Sequence, residues 1–173
     1  MLNNLSLKFQ WPSYLVKFLL SEYGNKLEIN GDKYCFRLLI GTKKPAYNEY
    51  EKPKLSKFNL MEYSIEVPKY YIDKTDISYI KNVGAIHFIQ FIDGQFKELM
   101  ITYVDAQLSL KRQIKEQAAK KNIKGIDNIS GLSMKNSIIE FCAKFSIDES
   151  DVKLETLIKH TQRHLSDCRT HAA

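Results

Sequence analysis

The sequence predicts an α+β protein: a small N-terminal β-sheet with one helix, a long central helix, and a C-terminal helical pair of helix-turn-helix-like form. Three observations carry this expectation. Residues 5–10 and 60–67 alternate apolar and polar side chains, the period of a strand with one wet face. Residues 96–108, and the segments that follow residue 133, repeat apolar side chains at the spacing of one helical face. The whole chain, 173 residues with 44% hydrophobic and 27% charged, has the make-up of a compact globular protein. The expected organisation is a small α+β domain over 1–75, a long central helical region over 76–125, and a helical pair with a tail over 126–173.

Taken in order, the first strand covers 5–10, and Pro12 then suits the first turn of a helix over 12–23. Leu15, Phe18, Leu19 and Tyr23 share its inner face, and Gly24 ends it. Two apolar-rich runs, 26–30 and 33–40, flank Asn30-Gly31 and read as a hairpin, because both residues tolerate positive φ. Residues 41–58 carry two prolines and five lysines without a period and read as a surface loop. In the strand over 60–67, Met61, Tyr63, Ile65 and Val67 point one way and Glu62, Ser64 and Glu66 the other. The segments SLKFQWPSYL and SIEVPKYYI share a strand, proline, tyrosine cadence, which reads as an accidental echo because nothing else repeats.

From Asp76 to about Lys121 the reading is one long helix, capped by Thr75 and Asp76. The competing reading is a hairpin of 85–92 and 96–104 around Asp93-Gly94. Helix is preferred because Lys97, Glu98, Gln107 and Gln113 fall on the polar side of a wheel and the alternation is poor. Ser133 caps a helix over 134–145 whose buried face is Ile138, Ile139, Phe141 and Cys142. After the turn SIDESD, a last helix over 152–165 carries the stripe Leu154, Leu157, Ile158, Thr161 and Leu165.

The charge balance, 26 Lys and Arg against 20 Asp and Glu, gives +6 and suits an acidic partner such as nucleic acid. Only Arg37, Arg112, Arg163 and Arg169 are arginines, so base reading by an arginine cluster is not expected. Cys35, Cys142 and Cys168 are odd in number and widely spaced, which predicts no disulfide framework and a reducing, cytoplasmic setting. No apolar run is long enough for a membrane span, and no export signal is evident.

The densest charge lies in residues 111–124, where Lys111, Arg112, Lys115, Lys120, Lys121 and Lys124 meet only Glu116. Such a run contacts phosphate, or it is the solvated end of a helix whose dipole favours cations. In the last helix, Thr156, Lys159, His160, Gln162 and Arg163 form the face that a helix-turn-helix would turn to a groove, although the turn is long and acidic. His160, His164 and Cys168 recur one helical turn apart, yet they lack a clear fourth ligand, so no metal is expected. Tyr47, Tyr50, Tyr70 and Tyr71 among lysines suit base stacking or a protein interface. Glu62 with Glu66 fits a wet strand face, and His87 fits a core histidine. No Walker loop, GxGxxG, GxSxG or DxD motif occurs, so no cofactor is expected and the reading leans away from an enzyme.

The segments YIKN, FKELMITYV and EFCAKFSIDESDVKLETLIKHTQRHL, with their apolar spacing and K-x3-R terminal helix, resemble uncharacterised short proteins carried on mobile elements and prophages of Bacteroidetes. The resemblance covers about half the chain and implies a mobile-element setting and no particular reaction. The resulting expectation is a non-enzymatic DNA-binding protein of a phage or mobile element, with residues Lys111 to Lys124 on phosphate and Lys159, His160 and Arg163 near the groove. The alternative is a structural or assembly protein working through protein contacts, with contacts between its own copies in a homo-oligomer among them.

Overall fold

The computed structural model describes residues 4–28, 58–73, 84–121 and 133–170. Its elements are β1 (Asn4–Pro12), α1 (Ser13–Tyr23), β2 (Lys26–Glu28), β3 (Leu60–Pro68), α2 (Lys69–Ile72), α3 (Ala85–Lys120), α4 (Met134–Lys144) and α5 (Leu154–Thr170). The protein is α+β, with a sheet at its N-terminal end, a long central helix and a C-terminal helical pair. Contacts divide the chain into two units, Met1–Gln95 and Phe96–Ala173, and the boundary falls inside α3. The expected hairpin partner over 33–40, the loop 41–57 and the start of the long helix before residue 84 lie outside the described residues.

In the first unit the strand order is β1-β3-β2. β1 runs antiparallel to β3 from Asn4 opposite Pro68 to Pro12 opposite Leu60, and β2 runs parallel to β3. Alternation puts Leu7, Phe9 and Trp11 of β1 and Tyr63, Ile65 and Val67 of β3 on the same buried side. Trp11 stacks on Phe9 at 4.9 Å between ring centroids and meets Phe88 of α3 at 5.4 Å. Leu15, Phe18 and Leu19 of α1 complete this core as anticipated. Tyr23, Leu5 and Met61, assigned inward by periodicity, are 47%, 40% and 38% exposed, each lying near an element's end. On the wet face, Lys8 pairs with Glu62 at 2.8 Å and Lys26 with Glu66 at 3.0 Å.

The strand and proline cadence has a structural counterpart. Both segments fold as a nine-residue strand ending in proline, followed directly by a helix, and their burial runs in nearly the same order along each strand. Pro12 occupies the cap position of α1 with φ −51°, a value its ring imposes. Gly24 closes α1 with φ 76°, a conformation that favours glycine, and its carbonyl accepts a 3.0 Å hydrogen bond from the Tyr63 hydroxyl. Burial pushes the Tyr63 phenol up to about 12, with Tyr23 adding to the shift. Tyr14 donates to Asp93 at 2.9 Å, and burial, then the Asp93 charge, holds its phenol well above the ordinary tyrosine range.

α3 is helical through all 36 residues, which settles the choice between helix and hairpin at Asp93-Gly94. Gly94 is exposed and makes no close approach, so here it acts only as a tolerated helix glycine. In the second unit, Phe141 of α4 meets Phe96 and Tyr103 of α3 at 5.5 and 5.8 Å. Lys144 lies over the Tyr103 ring at 4.0 Å, and the Tyr103 hydroxyl donates to Glu140 at 3.3 Å. Ser133 caps α4 as the sequence indicates, its hydroxyl accepting from the Asn136 amide at 3.1 Å. Ile138, Phe141 and Cys142 are buried, whereas Ile139 is 45% exposed. An i, i+3, i+4 face covers Ile138, Phe141 and Cys142, and Ile139 falls on its edge.

Candidate nucleic-acid interface

The basic segment occupies the last part of α3 and the turn after it. Arg112, Lys115, Lys120 and Lys121 are exposed, Lys111 is half-buried, and Lys124 lies outside the described residues. Lys121 still follows the helix, because its amide donates to the Gln117 carbonyl at 3.1 Å. At roughly 100° per residue, Lys111 and Lys115 sit within about 40° of each other, while Lys120 is about 180° from Lys111. The cations therefore surround the helix end instead of forming one stripe. Arg112, Lys115 and Lys120 share the broader exposed side, with Glu116 among them, and Lys121 faces the other way beside Leu110 and Ile114.

Arg112 is only loosely engaged. Its Nη2 donates to Ser109 at 3.3 Å and stands 4.0 Å from Asp105, with both charged side chains more than half exposed. A contact so long and so wet holds the guanidinium weakly. Val104 and Ala118 are buried and Leu108, Lys111 and Ile114 half-buried, so one side of this helix end is covered and the opposite side is open.

The second candidate surface is on α5. Leu157 and Thr161 are buried, and Glu155, Thr156, Lys159, Gln162, Arg163 and Ser166 lie opposite them in solvent. The wheel thus puts Lys159 and Arg163 together on the outer face, with His160 half-buried at its flank. α4 and α5 are connected by the nine residues 145–153, longer than the three- or four-residue turn of a helix-turn-helix. The acids in this connection are built into it. Asp151 is buried and accepts from the Asp148 amide at 3.0 Å, and Asp148 accepts from the Ser150 amide at 2.8 Å. Glu149 and Glu155 remain exposed near the start of α5 with one exposed cation, Lys153, between them, and the paired cations Lys159 and Arg163 follow farther along the helix.

The connection opens with a Schellman motif. Ser146 adopts φ 54°, its amide donates to Ala143 at 3.1 Å, and the Ile147 amide donates to Cys142 at 3.0 Å. Past this turn, Ile139, Cys142, Ile147, Val152, Leu154 and Leu157 line an apolar cavity of about 260 Å³ with Asp148 and Glu149 at its wall. Burial pushes the Cys142 thiol up to about 11. Sequence reading missed this groove because its walls come from two helices and a turn, and only Ile139 leaves a trace, as an apolar residue at the edge of a helical face.

Among the described residues, no three His, Cys, Asp or Glu side chains are placed to hold a metal ion. The Cys168 side chain, one of the ligands weighed above, lies outside those described. Of the tyrosines considered for stacking, Tyr70 is 48% exposed, and Tyr47 and Tyr50 lie outside the described residues. No helix among the described residues is long and apolar enough to cross a membrane. No protein-family model matches the chain, and neither does any curated protein or solved structure.

Proposed function

We propose that this chain is a non-enzymatic DNA-binding protein of a phage or mobile element, acting in the cytoplasm and holding the duplex mainly by its phosphates. The observation that carries the reading is the concentration of exposed cations at the end of α3, where Arg112, Lys115, Lys120 and Lys121 surround a helix that carries one acid among them, Glu116. Four exposed cations on a few helical turns supply a sequence-independent grip. Lys159 and Arg163 add a second pair of cations on α5.

Base reading contributes little in this account. In helix-turn-helix proteins the first residues of the second helix meet the base edges. Here that end presents Glu149 and Glu155 against one exposed cation, Lys153, so α5 is read as a side-on phosphate contact through Lys159 and Arg163. The setting in a mobile element rests on the resemblance of the C-terminal half.

Fluorescence anisotropy with a short labelled duplex tests the reading. Neutralising Arg112, Lys115 and Lys120 together to Gln is expected to weaken binding at least tenfold at low salt with no change in far-UV circular dichroism. Lys159→Gln with Arg163→Gln is expected to weaken it by a smaller factor. Unchanged affinity in the triple variant would remove α3 from the interface, and no binding by the parent chain at low ionic strength would end the proposal.

A further inference from the structure

The groove between α4, its turn and α5 is apolar inside and acidic at its wall, on a chain that is basic overall. Ile139 stands 45% exposed beside it, and Glu149 is exposed. At about 260 Å³ the cavity is smaller than the roughly 300–1,000 Å³ of small-molecule sites and fits one or two apolar side chains. The same unit carries the complementary shape. Leu110 is 46% exposed, half-buried Ile114 follows it one turn later, and Lys121 continues that face at helical spacing. A large apolar side chain left in water inside a basic segment has no role in phosphate contact.

We propose that a second copy of this chain docks the Leu110, Ile114 and Lys121 face of its α3 into this groove, Leu110 entering the cavity and Lys121 meeting Glu149. Charge complementarity selects this occupant: the groove's wall is acidic, and exposed Leu110 of α3 is followed on its own face by a cation. One surface of each copy meets a different surface of the other, an arrangement that closes as a reciprocal two-fold pair or continues head to tail as a ring or chain. At roughly 100° per residue Arg112 and Lys115 face away from Leu110 while Lys120 stands about 80° to its side, so Arg112 and Lys115 leave the proposed phosphate grip available to the assembled form. Lys121 belongs to both readings, and in the assembled form Arg112 and Lys115 carry the phosphate contact in its place.

Sedimentation velocity at low ionic strength, across a concentration series, reads the association. The parent chain is expected to associate, and Leu110→Asp to shift the midpoint at least tenfold to higher concentration. Glu149→Lys and Lys121→Glu are each expected to weaken association, since like charges then meet at the contact. An equimolar mixture of these two variants is expected to re-associate, because each groove then meets a knob of opposite charge. That heterotypic rescue cannot arise from misfolding of either variant. A parent chain that stays monomeric throughout, or association that Glu149→Lys and Leu110→Asp leave unmoved, or a mixture that remains as weak as its components, would overturn the proposal. DNA binding by Glu149→Lys at parental strength or better separates this outcome from failure of the phosphate reading.

Discussion

Ser146 is a β-carbon-bearing residue in a position that favours glycine. Its φ of 54° is the left-handed conformation that closes the Schellman motif after α4, and a side chain there costs roughly 1 kcal/mol. Ser146→Gly is expected to raise stability by about 0.5–1 kcal/mol, read as a higher urea midpoint at unchanged m-value. Ser137 presents the opposite case. It is 1% exposed in the middle of α4 and its hydroxyl has no hydrogen-bond partner among the described residues. Ser137→Ala removes an unsatisfied buried group and adds helix propensity, so a gain of about 0.5–1.5 kcal/mol is expected in the same measurement. Titration supplies a third test. The Cys142 thiol is raised by burial from its ordinary 9.0 to about 11, so the folded state holds the proton more tightly than the unfolded chain. That contribution is fully present below about pH 9 and is lost as pH rises toward about 11, with Tyr63 and Tyr14 extending the decline further. Urea midpoints are expected to fall between these limits, and Cys142→Ala to flatten the first part of the fall. A midpoint independent of pH over this window would show that Cys142 is not buried as described.

β3 is the central strand, and at the scale of elements the sheet depends on it. Ile65 is fully buried between two pairing strands, so Ile65→Ala is expected to cost about 2–5 kcal/mol, whereas loss of the exposed Lys8 to Glu62 pair by Lys8→Ala should leave the urea midpoint almost unmoved. Much of this architecture was legible in the sequence, and for local reasons. Alternation at Leu7, Phe9 and Trp11, Ser133 ahead of an apolar run, and polar residues at helical spacing around Asp93-Gly94 each report a preference that the chain satisfies within a few residues. What was not legible is non-local. The parallel pairing of β2 with β3 joins segments more than thirty residues apart in sequence, and the strand, proline, tyrosine cadence, though visible in the sequence and set aside as an echo, gains its structural meaning only when β1 and β3 are set side by side. The hydrogen bond from Tyr14 to Asp93 crosses 79 positions. Periodicity also overstated burial at Leu5, Tyr23, Met61 and Ile139, because a wheel or an alternation marks a side and does not reveal where the covering element stops. The candidate site divides in the same way: the basic run was visible as composition, its wrapping around the helix followed from the helix itself, and the acid-walled groove was invisible.

For the whole molecule, the +6 charge is spread evenly at coarse scale. Each of the two units, Met1–Gln95 and Phe96–Ala173, carries 13 cations and 10 anions. What distinguishes the second unit is placement. Exposed cations crowd the end of α3 and the outer face of α5, and three of its ten acids, Asp148, Glu149 and Asp151, fall in the turn before α5, so one body presents a basic surface and an acid-walled groove. The basic surface is read as a phosphate grip and the groove as a seat for another copy, which predicts that assembly and DNA binding reinforce each other: Leu110→Asp should lower the apparent affinity for long duplexes while sparing short ones, as anisotropy with two duplex lengths can check. The central claim is that exposed cations of α3 neutralise phosphates, and the salt dependence of binding measures that count. With three to five phosphates engaged, a plot of log K against log salt concentration for a short duplex should fall with a slope of roughly −3 to −5, and the triple Gln variant of Arg112, Lys115 and Lys120 should lower that slope by roughly 2–3. A slope near zero, or one that the triple variant leaves unchanged, would contradict it.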